Sequence, residues 1–153
     1  MTETVIFYEC KNDKGIARIM SDIVGGAKLR HGGGKTNTLK KAFKENCDKH
    51  VITIIDHDPG TPWPKDFQQI LTSMSKIDND TYVYSSTQNC NKILVLILSP
   101  RLEDWLANKC KVLNINVDPK KLHIDEKKFN NVLSECEKVV RDILEKALSR
   151  NST

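Results

Sequence analysis

Apolar positions along the chain switch between unbroken runs and a spacing of three and four. Val5-Ile6-Phe7-Tyr8, Val51–Ile55 and Lys92–Leu98 read as strands, their near-continuous apolar character suiting burial on both faces. Between the first two, Ile16, Ile19, Met20, Ile23 and Val24 predict a helix with one buried face, capped by Asn12 and ended by Gly25-Gly26. Ala27–Arg30 is a short strand candidate. Leu39, Ala42, Phe43 and Cys47 mark a second helix after the turn His31-Gly32-Gly33-Gly34. A third helical stripe, Phe67, Ile70, Leu71, Met74 and Ile77, is entered through Thr61-Pro62-Trp63-Pro64, where proline suits a helix start. Thr81–Ser85 lies close enough to Lys92–Leu98 for a hairpin, so one of the pair is expected to be an antiparallel edge. Ser99-Pro100 then reads as N-cap and first residue of a helix burying Leu102, Trp105, Leu106 and Cys110. Asn114 to His123, containing Asp118-Pro119, reads as an irregular connection, with Val112–Val117 as an alternative edge strand. From Phe129 to Leu148 the helical rhythm runs unbroken, predicting one long amphipathic helix over 125–149.

Strand-like runs alternating with helical stripes predict βαβ units. The expected fold is α/β and Rossmann-like: a mostly parallel sheet of about four or five strands with helices on both faces. The C-terminal helix packs on a core spanning 4–113, all within one domain over 1–153. Core packing is the favoured use of that helix, with a homodimer or partner surface as the alternative.

At 153 residues, with 39% hydrophobic and 29% charged positions, the composition suits a soluble globular protein. The longest apolar stretch, Ile93–Leu98, falls far short of the roughly 20 residues that span a bilayer. Met1-Thr2-Glu3-Thr4 lacks the basic start of a signal peptide, so the expected location is cytoplasmic, with no membrane partner. A net charge of +4 permits an anionic partner without demanding one. The cysteines are five, dispersed and without a CxxC pair, which argues for reduced thiols and against a disulfide framework or a zinc site.

Chemistry concentrates at two strand ends. Glu9 follows the first strand, and Asp56-His57-Asp58-Pro59-Gly60 follows the strand Val51–Ile55. In parallel α/β sheets ligands bind beyond the carboxyl ends of the strands, so neighbouring strands would bring Glu9, Asp56 and Asp58 to one cleft. Alternation along a strand places Asp56 and Asp58 on one side and His57 on the other. Such oxygen ligands suit Mg²⁺, which takes few carboxylates and leaves positions for water and phosphate. Lys35 follows Gly33-Gly34 and precedes a helix, where backbone amides and an ammonium can meet a phosphate. Leu29 stands where an ATP-binding glycine loop needs glycine, which argues against that use. Lys11 is a weaker phosphate contact of the same kind. Lysines beside Cys10 could lower its pKa, but no nucleophile role follows.

These motifs resemble the TOPRIM domain shared by topoisomerases, primases and small nucleases. Glu9-Cys10-Lys11-Asn12-Asp13 is similar to its E-G-K-x-D, with cysteine for glycine. Asp56-His57-Asp58-Pro59-Gly60 is similar to its D-x-D-x-x-G, one residue short. Gly33-Gly34-Lys35-Thr36-Asn37 and Leu102-Glu103 resemble the G-G-K-x-N and L-E of OLD-family nucleases, so the resemblance spans residues 4–108. It implies that Asp56 and Asp58 hold Mg²⁺ or Mn²⁺, that Glu9 is a further ligand or general acid/base, and that Glu103 completes a second metal site. It further implies cleavage of DNA or RNA, with a partner ATPase or other protein acting in trans in defence or repair. Two other readings compete: a TOPRIM-like module binding nucleic acid or a partner without cutting, and a haloacid-dehalogenase-like phosphatase suggested by Asp56-His57-Asp58 with Gly60-Thr61.

Overall fold

The structure, a computed structural model, describes residues 2–150. Its centre is a six-stranded mixed sheet in the order β2-β1-β3-β6-β5-β4. The strands are β1 (Glu3–Tyr8), β2 (Lys28–His31), β3 (Lys49–Asp56), β4 (Ser75–Asp78), β5 (Thr81–Gln88) and β6 (Asn91–Leu98). β2, β1, β3 and β6 pair in parallel, with Tyr8 opposite Ile54 and Asp56 opposite Leu98. β5 and β4 add two antiparallel pairings at one side. The three apolar runs are the strands covered on both faces, as continuous hydrophobicity requires.

Alternation along those runs feeds two separate cores. Ile6, Ile52, Ile54, Leu94 and Leu96 join α1 (Asp13–Ile23), α4 (Leu102–Lys111), α5 (Pro119–Ile124), α6 (Glu126–Glu135) and α7 (Glu137–Ser149). Val5, Phe7, Val51, Ile55, Ile93 and Val95 pack against α2 (Lys35–Phe43) and α3 (Gln68–Ser73). Trp105 is fully buried in the first core, with its Nε1 donating to Thr81 Oγ1 at 2.8 Å, so its polar handle is satisfied. α1 carries the chain from β1 out to β2 on one face. α2 then returns it past β1 to β3 on the other face, so the winding reverses between β1 and β3.

The Rossmann-like α/β architecture agrees with expectation, while several details are corrected. The sheet has six strands, because Ser75–Asp78 pairs with β5 where the helical stripe was expected to continue to Ile77. α3 stops at Ser73, and Met74 is already extended with ψ 147°. Asn89 and Cys90 link β5 to β6 with φ of 54° and 64°, the double positive φ that matches a hairpin's twist. Residues 112–117 form no strand. Asp118 caps α5 by accepting from Lys120 N at 3.0 Å.

The long C-terminal helix is interrupted at Cys136, whose φ of −104° and ψ of 10° separate α6 from α7. Its apolar rhythm persists across the break, so periodicity alone does not reveal it. Cys136 is fully buried there and is bonded to Cys110 of α4 as a disulfide across 26 residues. This corrects the expectation that all five cysteines are reduced thiols; packing of α4 on the α6–α7 junction brings together residues whose spacing gives no hint of pairing. Among the described residues no helix is long and apolar enough to cross a membrane.

Candidate carboxylate site

The winding reverses between β1 and β3, and the carboxyl ends of strands at such a reversal are the place where open α/β sheets bind ligands. Glu9 and Asp56 stand at those ends. Glu9 Oε1 accepts from the Asp56 backbone N–H at 3.0 Å, and Asp56 Oδ1 accepts from Leu102 N–H at 3.0 Å. Asp56 thus satisfies the first turn of α4 from outside that helix, a position where a carboxylate is favoured. The expected start of α4 shifts accordingly. Ser99 and Pro100 precede the helix, and Ser99 Oγ meets His57 Nδ1 at 2.9 Å.

Asp58 is held differently from its expected place. β3 ends at Asp56, and Asp58 has φ 49°, so strand alternation does not extend to it. Its N–H donates to Pro100 O at 2.7 Å and its carboxylate pairs with Arg101 Nε at 3.4 Å. Its charge still acts on Glu9.

Glu103 lies in the first turn of α4 and is buried, 6% exposed. Oε1 meets His123 Nδ1 at 3.2 Å, and Oε2 accepts from Asn12 Nδ2 at 3.4 Å. Asn12 also donates to Leu122 O at 3.1 Å, fastening α5 beside the site. Its side chain does not cap α1 as expected. Asp13 takes over the turn: its Oδ2 accepts from Glu9 N at 3.1 Å and Cys10 N at 3.0 Å. Asp13 Oδ1 is buried without any partner. The motif contains Asp13 and Asn12 without assigning either a place at this site, and His123 lies outside it. A carboxylate four residues after Glu9 was the signal for Asp13; none existed for His123, which reaches Glu103 only through the fold.

Crowded carboxylates change one another's chemistry. Burial, followed by the charges of Glu9 and Glu103, pushes Asp56 up to about 7. Burial raises Glu9 too, against the Asp56 N–H bond and Lys35, which lower it. Burial and then Asp56 raise Asp13 well above the usual carboxylate range. Cys10 is an exposed residue whose thiol nevertheless turns to Asp13 Oδ2 at 3.5 Å. Burial and then that carboxylate push it up to about 12, opposite to the lowering that neighbouring lysines suggested.

The glycine turn fixes Lys35 nearby. Gly32 N donates to Tyr8 O at 2.8 Å and Gly34 N to Glu9 O at 3.5 Å, docking the turn on the end of β1. Gly33 and Gly34 have φ of 82° and 91°, where glycine carries no Cβ penalty. The Gly34 N–H is therefore engaged with Glu9 rather than open to a phosphate. A Cβ on Gly32 would sit 2.0 Å from Thr38 Oγ1 and 2.7 Å from Thr38 Cα. Gly32→Ala is expected to cost about 1–3 kcal/mol, because α2 must move. A denaturation midpoint equal to that of the unmodified protein would refute this tight approach.

Lys35 Nζ lies 4.7 Å from the Trp63 ring centroid, and its charge lowers both Glu9 and Asp56. Trp63 is buried and donates to His57 O at 2.7 Å, consistent with packing. Lys11 is exposed and lines a cleft of about 290 Å³ with Cys10, Asn12, His123 and Ile124. Glu9, Asp56 and Glu103 therefore act on one another with Lys35, Asp58 stands at the margin with Arg101, and Lys11 lines the cleft beside Asn12 and His123.

Among the described residues no three His, Cys, Asp or Glu side chains are arranged as a ready set of ligands around one point. The chain matches no protein-family model, and no curated protein or solved structure matches it.

Proposed function

We propose that the protein is a metal-dependent phosphodiesterase, a small TOPRIM-like nuclease acting on DNA or RNA. The observation that carries this reading is the placement of Glu9 and Asp56 at the sheet's switch point, with the Asp56 N–H bonded to Glu9 at 3.0 Å, where burial first and then the charges of Glu9 and Glu103 push Asp56 up to about 7. A divalent cation relieves such crowding as a proton does. The donor set fits Mg²⁺ or Mn²⁺ in kind, being all carboxylate oxygen. Hydrogen bonds commit one oxygen of Glu9 and one of Asp56, leaving the second of each for a ligand. The cation would supply charge stabilisation at the phosphoryl oxygens. Asp56 would hold it, with Asp58 and Glu103 at its margins, Lys35 would draw the substrate phosphate toward the site, and Glu9 would be either a further ligand or the general acid/base that moves a proton at the scissile group.

A non-catalytic module that binds nucleic acid or a partner is the second reading, favoured by the lack of a preformed ligand set among the described residues. The two separate in one assay. Purified protein is incubated with labelled single- and double-stranded DNA and RNA under Mg²⁺ or Mn²⁺, alongside Asp56→Ala and Glu9→Gln. Cleavage by the unmodified protein, reduced at least about a hundredfold in both variants, supports the nuclease. Equal background from all three removes it. An ATPase partner, and a role in defence or repair, belong to this same reading and stand or fall with it.

A further inference from the structure

Residues 27–44 contain six Lys and Arg and no Asp or Glu, while the rest of the chain carries 18 basic against 20 acidic residues. The protein's positive excess therefore resides in one segment, made of β2 and α2. The fold turns that segment into a concave surface. A cleft of about 540 Å³ runs between α2 and the sheet edge at β2, lined by Arg30, His31, Asn37, Lys40, Lys41 and Lys44 over a floor of Phe7. Its one acid, Glu45, is buried and already spent: Oε2 meets Arg30 at 2.9 Å and Oε1 meets Lys49 at 3.1 Å. Lys40, Lys41 and Lys44 are exposed and pair with no acid among the described residues. Lys41 Nζ reaches Gly32 O at 3.1 Å, anchoring its ammonium at the glycine-turn end of the cleft.

We propose that this cleft seats the phosphodiester backbone of a nucleic-acid strand, held by Arg30, Lys40, Lys41 and Lys44. The inference rests on the nuclease reading, whose substrate it extends away from the reacting phosphate. α2 supplies the continuity. Lys35 begins the helix beside Glu9 and Asp56, and Lys44 follows its end about 13 Å further along the axis. That distance spans about four nucleotides at the roughly 3.4 Å rise of one strand. The carboxylates repel a polyanion by themselves, so a cationic track leading to them supplies the attraction that the reacting site lacks. Phosphate contacts of this kind position a strand without reading its sequence.

Binding is measured by fluorescence anisotropy, in chelator to prevent cleavage, with labelled single-stranded DNA, single-stranded RNA and duplex DNA over a range of salt. The proteins are the unmodified chain, Lys40→Gln/Lys41→Gln/Lys44→Gln, and a charge-matched control, Lys127→Gln/Lys128→Gln/Lys138→Gln, on exposed positions of α6 and α7. The cleft variant is expected to lose at least about tenfold in affinity, and its log–log salt slope to fall by about 2 on a single strand. The control is expected to bind like the unmodified chain. Lys40→Gln/Lys44→Gln, which keeps the Lys41 bond to Gly32, guards against a folding defect in the triple variant and should show a proportionate loss. Equal losses in cleft and control variants, or no binding to any strand at low salt, overturn the proposal. Binding through the cleft by a protein that never cleaves overturns the phosphodiesterase reading alone.

Discussion

Asp56→Asn is expected to make the protein more stable at pH 8 and no different near pH 4. The folded-state value of about 7 stands above the roughly 3.9 of an unfolded aspartate. Below pH 4 the side chain is protonated in both states and contributes nothing. As pH rises from there the unfolded chain releases its proton while the native state keeps it, so stability falls by about 1.36 kcal/mol per unit. The loss is complete above pH 7, at roughly 4 kcal/mol for this group treated alone. Asparagine keeps the Oδ1 that accepts from Leu102 N–H but carries no charge, and Glu9 and Glu103 lose a repulsive neighbour with it. Denaturant unfolding at several pH values should show the two curves diverging between pH 4 and 7, with a gain of about 2–4 kcal/mol at pH 8. A variant equal to or weaker than the unmodified protein at pH 8 sinks the claim that burial and neighbouring charge disfavour the ionised Asp56. Saturating Mg²⁺ should narrow the gap by stabilising only the unmodified protein, by about 2.7 kcal/mol at a hundred times Kd.

A carboxylate so placed marks where local rules give way to tertiary placement, and the same boundary divides what the sequence discloses from what it conceals. β1, β3 and β6 are legible because burial on both faces demands unbroken apolar runs, and α1 because its stripe repeats at three and four. Ser75-Lys76-Ile77-Asp78 has no apolar run, and Ile77 even prolongs a helical stripe; it becomes a strand because β5 offers a partner. The break at Cys136 is concealed for the opposite reason, since both helices turn apolar residues inward and the rhythm survives the kink.

At the carboxylate site, Glu9 and Asp56 are legible as acids ending two buried strands, and the topology makes those strands neighbours. Their partners are not. Glu103 is named by its motif, but its bond to Asn12 spans 91 residues, and His123 arrives on α5 from an irregular stretch. Asp58 departs from period-two reasoning because its positive φ ends the pleat. Spacing identifies acids at strand ends; only packing decides which oxygens remain open. Among the described residues, hydrogen bonds commit one oxygen of Glu9 and one of Asp56, so the second oxygen of each is what the proposed cation would use.

Cleavage should therefore depend on pH through the competition of protons and cation for Glu9 and Asp56. Both carboxylates are raised, and each must be ionised to hold a divalent ion. At limiting Mg²⁺, kcat/KM is expected to fall about tenfold per unit as pH drops below about 7, steepening toward a hundredfold if both groups take up protons. Proton and cation are mutually exclusive ligands, so a tenfold rise in Mg²⁺ should move the acid limb down by up to about one unit. A limb near pH 7 that stays fixed across Mg²⁺ concentrations assigns the titration to a group outside the cation site, and no limb between pH 5 and 8 removes Asp56 from the reaction. Glu9→Gln deletes one of the two titrating groups, so any residual activity should follow a single-proton slope. Retention of the steeper slope in that variant would contradict the role given to Glu9.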